Sequence, residues 1–127
     1  MANEEKLQDR IKKYFEEKYH GICYHLSPPE HPGFPDLMVC TLFDTELVEV
    51  KDFTGLSINS KIKNHFTKFQ IPWITRHLKK ASHVQLAFTY QKIDYIFTIG
   101  SIEESIFLTV CTVGELIEKS RVMKWQL

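Results

Sequence analysis

Asp36, Glu49 and Lys51 are the residues whose types and spacing could do chemistry. An apolar run follows Asp36, then a short turn, then a second apolar stretch that carries Glu49 and Lys51 with Val50 between them. Side chains on a strand alternate faces, so Glu49 and Lys51 point one way and Val50 the other. Two carboxylates and an amine can then meet at one edge of a small sheet. Burying such a trio without a use is expensive. Carboxylate oxygens suit a hard divalent cation such as Mg²⁺ or Mn²⁺.

The elements that must position this trio follow from the patterning around it. Residues 3–19 read as an amphipathic helix that Asn3 can cap, with Leu7, Ile11, Tyr14, Phe15 and Lys18 at three-four spacing. Glu4 precedes Leu7 by three residues and Ile11 by seven, which places a carboxylate on the inward face. Gly21 reads as the helix C-cap, and 22–26 as a short strand. The run Ser27-Pro-Pro-Glu-His-Pro-Gly33 holds no regular ladder and leads into Asp36. It suits either a substrate-gripping loop or a plain connection. Strands are expected over 37–43 and 46–53, joined as an antiparallel hairpin by Asp44-Thr45. The first is apolar on both faces apart from Thr41, which calls for helices on both sides of the sheet.

Further on, residues 57–67 read as a loop or short helix, and 69–81 as a better helix with Pro72 in its first turn. Strands follow over 84–90 and 93–99, joined by Gln91-Lys92. Ser101 with Glu104 can cap a helical turn, and 107–112 is rich enough in β-branched residues to be a strand instead. Thr112-x-x-Glu115 is a capping-box pattern for a helix over 113–120. Trp125 reads as an exposed aromatic or a dimer contact. The expected class is α/β, a central mixed β-sheet flanked by helices in a single domain over 1–127.

Composition narrows the function classes. Apolar residues make up 43% of the 127, which places the chain among folded proteins rather than disordered ones. Formal net charge is zero, but 11 of the 16 acidic residues lie in 1–53 and none lies in 54–93. That acid-free stretch contains Lys61, Lys63, Lys68, Arg76, Lys79, Lys80 and Lys92. Beside an acidic site it suggests a polyanion-binding surface, although a solvated face lacking acids has the same composition. Cys23, Cys40 and Cys111 are odd in number and widely spaced, with Cys40 and Cys111 in apolar runs. They fit buried thiols in a reducing, intracellular setting better than a zinc site or disulfide framework. No signal peptide or membrane span is visible. The six histidines form no H-x-x-x-H pair. Their wide spacing fits helix ends, loops or core edges, although His25 and His31 flank the Pro-rich loop and could touch a phosphate there, whereas Tyr14, Tyr19 and Tyr24 read as packing residues.

The order of helix glutamate, Gly33-Phe-Pro-Asp36-Leu and Glu49-Val-Lys51 resembles the PD-(D/E)xK nuclease superfamily, and its restriction-endonuclease-like core is the fold this implies. Within it, the chain looks most like archaeal Holliday junction resolvases and VRR-NUC domain nucleases. Glu4 is similar to their N-terminal helix glutamate, and Gln70-x-x-Trp73 resembles the Q-x-x-W at the start of the helix after the lysine strand. The likeness covers roughly residues 4–99, the tail from Ser101 matching no named element. The stretch from Lys51 to Gln70 is longer than usual in VRR-NUC proteins, which suggests an elaborated substrate loop.

The resemblance implies that Asp36, Glu49, the Val50 carbonyl and Glu4, directly or through water, hold Mg²⁺ or Mn²⁺. Lys51 would orient the attacking water or stabilise the pentavalent phosphate. Gln70 would steady Lys51 or the scissile phosphate, and Lys61, Lys63, Lys68, Arg76, Lys79 and Lys80 would bind nucleic acid. The implied protein is a homodimeric endonuclease cutting four-way DNA junctions, cytoplasmic or a viral protein acting in a host cell. The alternatives are a VRR-NUC-like nuclease for flaps, nicks or linear duplex, and a catalytically idle nucleic-acid-binding module.

Overall fold

The computed structural model describes residues 3–26, 33–42, 44–78 and 83–125. Six strands form one mixed sheet in sequence order: β1 (Ile22–His25), β2 (Leu37–Cys40), β3 (Thr45–Asp52), β4 (Val84–Tyr90), β5 (Ile93–Ile99) and β6 (Arg121–Val122). Every neighbouring pair is antiparallel except β3 and β4, which run parallel. A parallel pair needs a long crossover. Here it contains a 3₁₀ turn at Lys63–His65 and the helix α2 (Gln70–Leu78).

Helices cover both faces, as the two-sided apolar strand requires. The helix α1 (Asn3–Tyr19) lays Leu7 and Ile11 on Leu37, Val39, Val48, Val50 and Ala87. On the other face Leu86, Phe88, Phe97 and Ile99 pack with Ile74 of α2 and with Val113 and Leu116 of α4 (Val113–Glu118). Burying each of these side chains contributes about 1.5–3 kcal/mol, so the larger core lies under α2 and α4. The strand β4 is buried along its whole length and forms the centre of the sheet.

Local chemistry explains most boundaries. The β4–β5 connection is a two-residue turn with Gln91 and Lys92 at φ 49° and 69°, the double left-handed geometry that matches strand twist. Ser101 accepts from the Glu104 amide to start α3 (Ile102–Phe107). Thr112 and Glu115 form a complete capping box for α4. That box competes for residues 107–112, so the β-branched run there forms turns rather than the strand considered from its composition.

Five expectations are corrected. Asn3 lies inside the first turn of α1, where its amide donates to Asp52 rather than capping the helix. The left-handed residue that ends α1 is His20, at φ 52°. Gly21 is needed instead for close approach, because a Cβ there would lie 2.9 Å from the Cys40 carbonyl oxygen. The β2 strand stops at Cys40 and β3 begins at Thr45, because the Thr41 amide closes the turn onto the Asp44 carbonyl at 2.8 Å. Trp125 is half-buried against Tyr14, its indole N–H donating to Asp94, so in place of an exposed aromatic the ring is held by its own chain. Among the thiols, Cys23 and Cys111 are buried while Cys40 is only partly covered. No helix among the described residues is long and apolar enough to cross a membrane.

Candidate active site

Strand alternation brings the trio together. In the β2–β3 ladder Leu37 faces Val48, and continuing that register sets Asp36 opposite Glu49 and Pro35 opposite Val50. Directly opposed residues project their side chains on one face. The Val50 amide donates to Asp36 Oδ2 at 2.9 Å, which ties the carboxylate to the neighbouring strand. A strand residue in a hydrogen-bonded antiparallel pair directs its N–H and C=O toward the same neighbour. Proline has no N–H to offer the Val50 carbonyl. That carbonyl is thus left directed toward the Asp36 side without a ladder donor at position 35.

Glu49 and Lys51 are 1% and 8% exposed, on the face covered by α2. Gln70, the first residue of α2, links them. Its Oε1 accepts from Lys51 Nζ at 2.9 Å and from the Thr67 amide at 2.8 Å, and its Nε2 donates to Glu49 Oε1 at 3.2 Å. Lys51 Nζ also lies 5.0 Å from the centre of the Phe66 ring, a favourable place for a cation. Glu49 Oε2 is buried with no hydrogen-bond partner among the described residues. Burial first, then the adjacent Asp36 carboxyl and its charge, push the Glu49 carboxyl up to about 10. Lys51 opposes this shift, and the Glu4 charge adds to it.

Glu4 enters from the opposite layer. It sits half-buried on α1, one turn before Leu7, and its charge bears on Glu49 across the edge of the sheet. The buried Glu49 oxygen that lacks a donor lies beside the Asp36 carboxyl, and paired carboxylate oxygens suit a hard cation. Asp36, Glu49 and the Val50 carbonyl would hold it directly, with Glu4 directly or through water. Such a set is too repulsive to stay fully ionised without a cation or a proton.

The loop into Asp36 is fastened to the same helix. Gly33 has φ 89°, and a Cβ there would lie 2.4 Å from the Phe69 carbonyl oxygen. Only glycine combines that conformation with so close a backbone approach. Phe34 packs on Trp73 with ring centres 4.9 Å apart, and Trp73 stacks on His77 at 4.8 Å. Burial holds the His77 imidazole below its ordinary value, helped by nearby His83. Sequence reasoning placed Trp73 on the helix but missed its contact with Phe34. The signal was the Gly-Phe pair beside the Pro-Asp step.

The basic residues divide. Lys61 donates to the Val110 carbonyl, and its backbone bridges to Thr112, so its ammonium is engaged by its own chain. Lys63, Lys68 and Arg76 are exposed, and Lys68 lies 5.1 Å from the ring centre of exposed Phe69. Lys63 and Lys68 precede Gln70 in the chain. Lys79, Lys80, His31 and most of the Pro-rich loop lie outside the described residues. His25 bonds Gln8 at 3.1 Å.

A second acidic group lies elsewhere. Asp44, Glu46 and His83 have ligand atoms within 4.8 Å of one another. Glu46 already accepts from Gln85, pairs with His83 at 2.9 Å, and faces away from Glu49 across β3. Both bonds fall on Glu46 Oε2, and among the described residues this is the group of three whose ligand atoms lie that close together. No protein-family model matches the chain, and no curated protein sequence matches it.

Proposed function

We propose that this protein is a divalent-metal-dependent endodeoxyribonuclease with a restriction-endonuclease-like core. We propose further that it resolves four-way DNA junctions as a homodimer by hydrolysing phosphodiesters. The observation that carries this reading is the buried Glu49. One of its oxygens has no donor among the described residues, the Asp36 carboxyl is adjacent, the Glu4 charge bears on it, and Lys51 lies two residues on along the same strand. A fold that needed only stability would place an apolar residue there.

The bound cation would lower the pKa of its water and neutralise charge on the phosphate. The protein's own groups do the rest. Asp36 and Glu49 would hold the cation, with Glu4 contributing its charge from α1. Gln70 holds the Lys51 ammonium at a set position by accepting one of its protons, leaving two for the nucleophile or the phosphate oxygens. The ammonium stabilises charge as the pentavalent phosphate forms, and the leaving oxygen departs with a proton from solvent. Exposed Lys63, Lys68 and Arg76 supply phosphate contacts around the site.

A second reading, a VRR-NUC-like nuclease acting on flaps, nicks or linear duplex, is favoured by Gln70. Its bonds to both Lys51 and Glu49 give the Gln70-x-x-Trp73 element a role in the site. The two readings share the chemistry and differ in DNA shape. Cleavage of four-way junction, flap, nicked and linear DNA, with cut sites mapped on both strands, separates them. Paired symmetric nicks select the junction, and single cuts beside flaps or nicks select the second reading.

A further inference from the structure

The geometry points to Asp94, Arg10 and Trp125 as a clasp that sets the roll of α1 and thereby positions Glu4 at the site. This rests on the reading of Glu4 as part of a cation site.

The clasp is built on one carboxylate. Asp94, 7% exposed near the start of β5, accepts from Arg10 Nε at 2.7 Å and from Nη2 at 2.9 Å. It also accepts from Trp125 Nε1 at 2.7 Å. Its backbone carbonyl takes the Met123 amide at 2.8 Å. The strand β6 runs beside β5 through Tyr95–Val122 and Ile96–Arg121, so the tail is delivered to Asp94 by the sheet itself. The Trp125 ring closes over α1 edge-on to Tyr14. Bidentate arginine pairing with a carboxylate fixes direction as well as distance.

Why α1 needs this follows from helix geometry. Its fully buried residues are Leu7 and Ile11, which lie on one narrow stripe. A single stripe sets where the helix rests but leaves its rotation about its own axis weakly determined. At about 100° per residue, Glu4 falls on one flank of that stripe and Arg10 on the other, roughly 120° apart. Anchoring Arg10 on β5 therefore sets the depth of Glu4 on the far flank. Asn3 to Asp52 and Gln8 to His25 are the other polar tethers of this half of the helix among the described residues, and both are exposed. The residues after Ser101, which match no element of the resemblance, thus take a place in the site through α1.

The test is Mn²⁺ binding, read as loss of the free-ion EPR signal, for the wild type, Asp94→Asn and Trp125→Phe. Each is measured with Glu4 present and in a Glu4→Gln background, with circular dichroism to follow folding. Removing a group that orients a metal ligand costs about 10- to 100-fold in affinity. Asp94→Asn should therefore weaken Mn²⁺ binding about tenfold with Glu4 in place, and Trp125→Phe less. In the Glu4→Gln background both should change it by less than about twofold. Equal losses in the two backgrounds would show a general structural effect and overturn the inference. Unchanged binding in the folded variants would overturn it too. Trp125→Phe keeps the ring on Tyr14 and carries the test if Asp94→Asn fails to fold. A wild type that binds no Mn²⁺ would overturn the site reading itself, an outcome distinct from a binding wild type with indifferent clasp variants.

Discussion

Replacing Glu49 with Gln should stabilise the cation-free protein at neutral pH while removing cation binding. Burial and the neighbouring Asp36 hold the folded carboxyl up to about 10, against an ordinary 4.5. Between those values the folded state keeps a proton that the unfolded chain has released. Stability therefore falls as pH rises through this window. The penalty is absent below about pH 4.5 and levels off above about pH 10. From pH 4.5 to 7 the span is about 2.5 units at about 1.4 kcal/mol each, a ceiling of about 3 kcal/mol. Rearrangement of Lys51 and entry of water reduce it, so a gain of about 1–2 kcal/mol is expected at pH 7. The amide oxygen of Gln can still accept from Gln70, so no bond is lost. Urea unfolding in EDTA at pH 5, 7 and 9 would measure this. The variant should match the wild type at pH 5 and exceed it increasingly at pH 7 and 9. A difference that does not change with pH, or a variant less stable throughout, would refute the account of Glu49.

Other expectations follow from the same geometry. Gly33→Ala should destabilise by at least about 2 kcal/mol, because it combines a left-handed φ with a clash on the Phe69 backbone; thermal melts would show it. Thr112→Ala should cost about 1 kcal/mol by removing half of the capping box, measured by urea denaturation. Gln70→Ala frees Lys51 and Glu49 together, so it should lower kcat about 10- to 100-fold with DNA affinity little changed, read in single-turnover cleavage. DNA affinity should fall steeply with salt, and Lys68→Ala should reduce the slope of that dependence by about one, followed by fluorescence anisotropy.

Much of the fold was legible because local signals and burial agreed. The α1 range, both central strands and the Gln91-Lys92 turn follow from period and turn chemistry that nothing overrides. The Ser101 cap and the Thr112 capping box were equally plain. The β2–β3 turn was less so, because Thr41 and Asp44 hydrogen-bond across it and shorten the strand that the apolar run extends to Phe43. Glu49 and Lys51 share a face by alternation alone, whereas Asp36 joins them through the β2–β3 register that sets it opposite Glu49. The Arg10–Asp94–Trp125 contacts were not legible, since their members lie 84 and 31 residues apart and no local pattern marks them. Trp125 read as an exposed aromatic or a dimer contact because nothing in the tail marks Asp94 as its partner. The engagement of Lys61 by Val110 was hidden for the same reason.

The measurement closest to the central claim is cleavage of a four-way DNA junction with and without Mg²⁺, by the wild type and by Asp36→Asn and Lys51→Ala. The account predicts paired symmetric nicks that require the cation. It also predicts two folded variants that still bind the junction and do not cut it. Cleavage undiminished in EDTA, or variants that cut as well as the wild type, would contradict it.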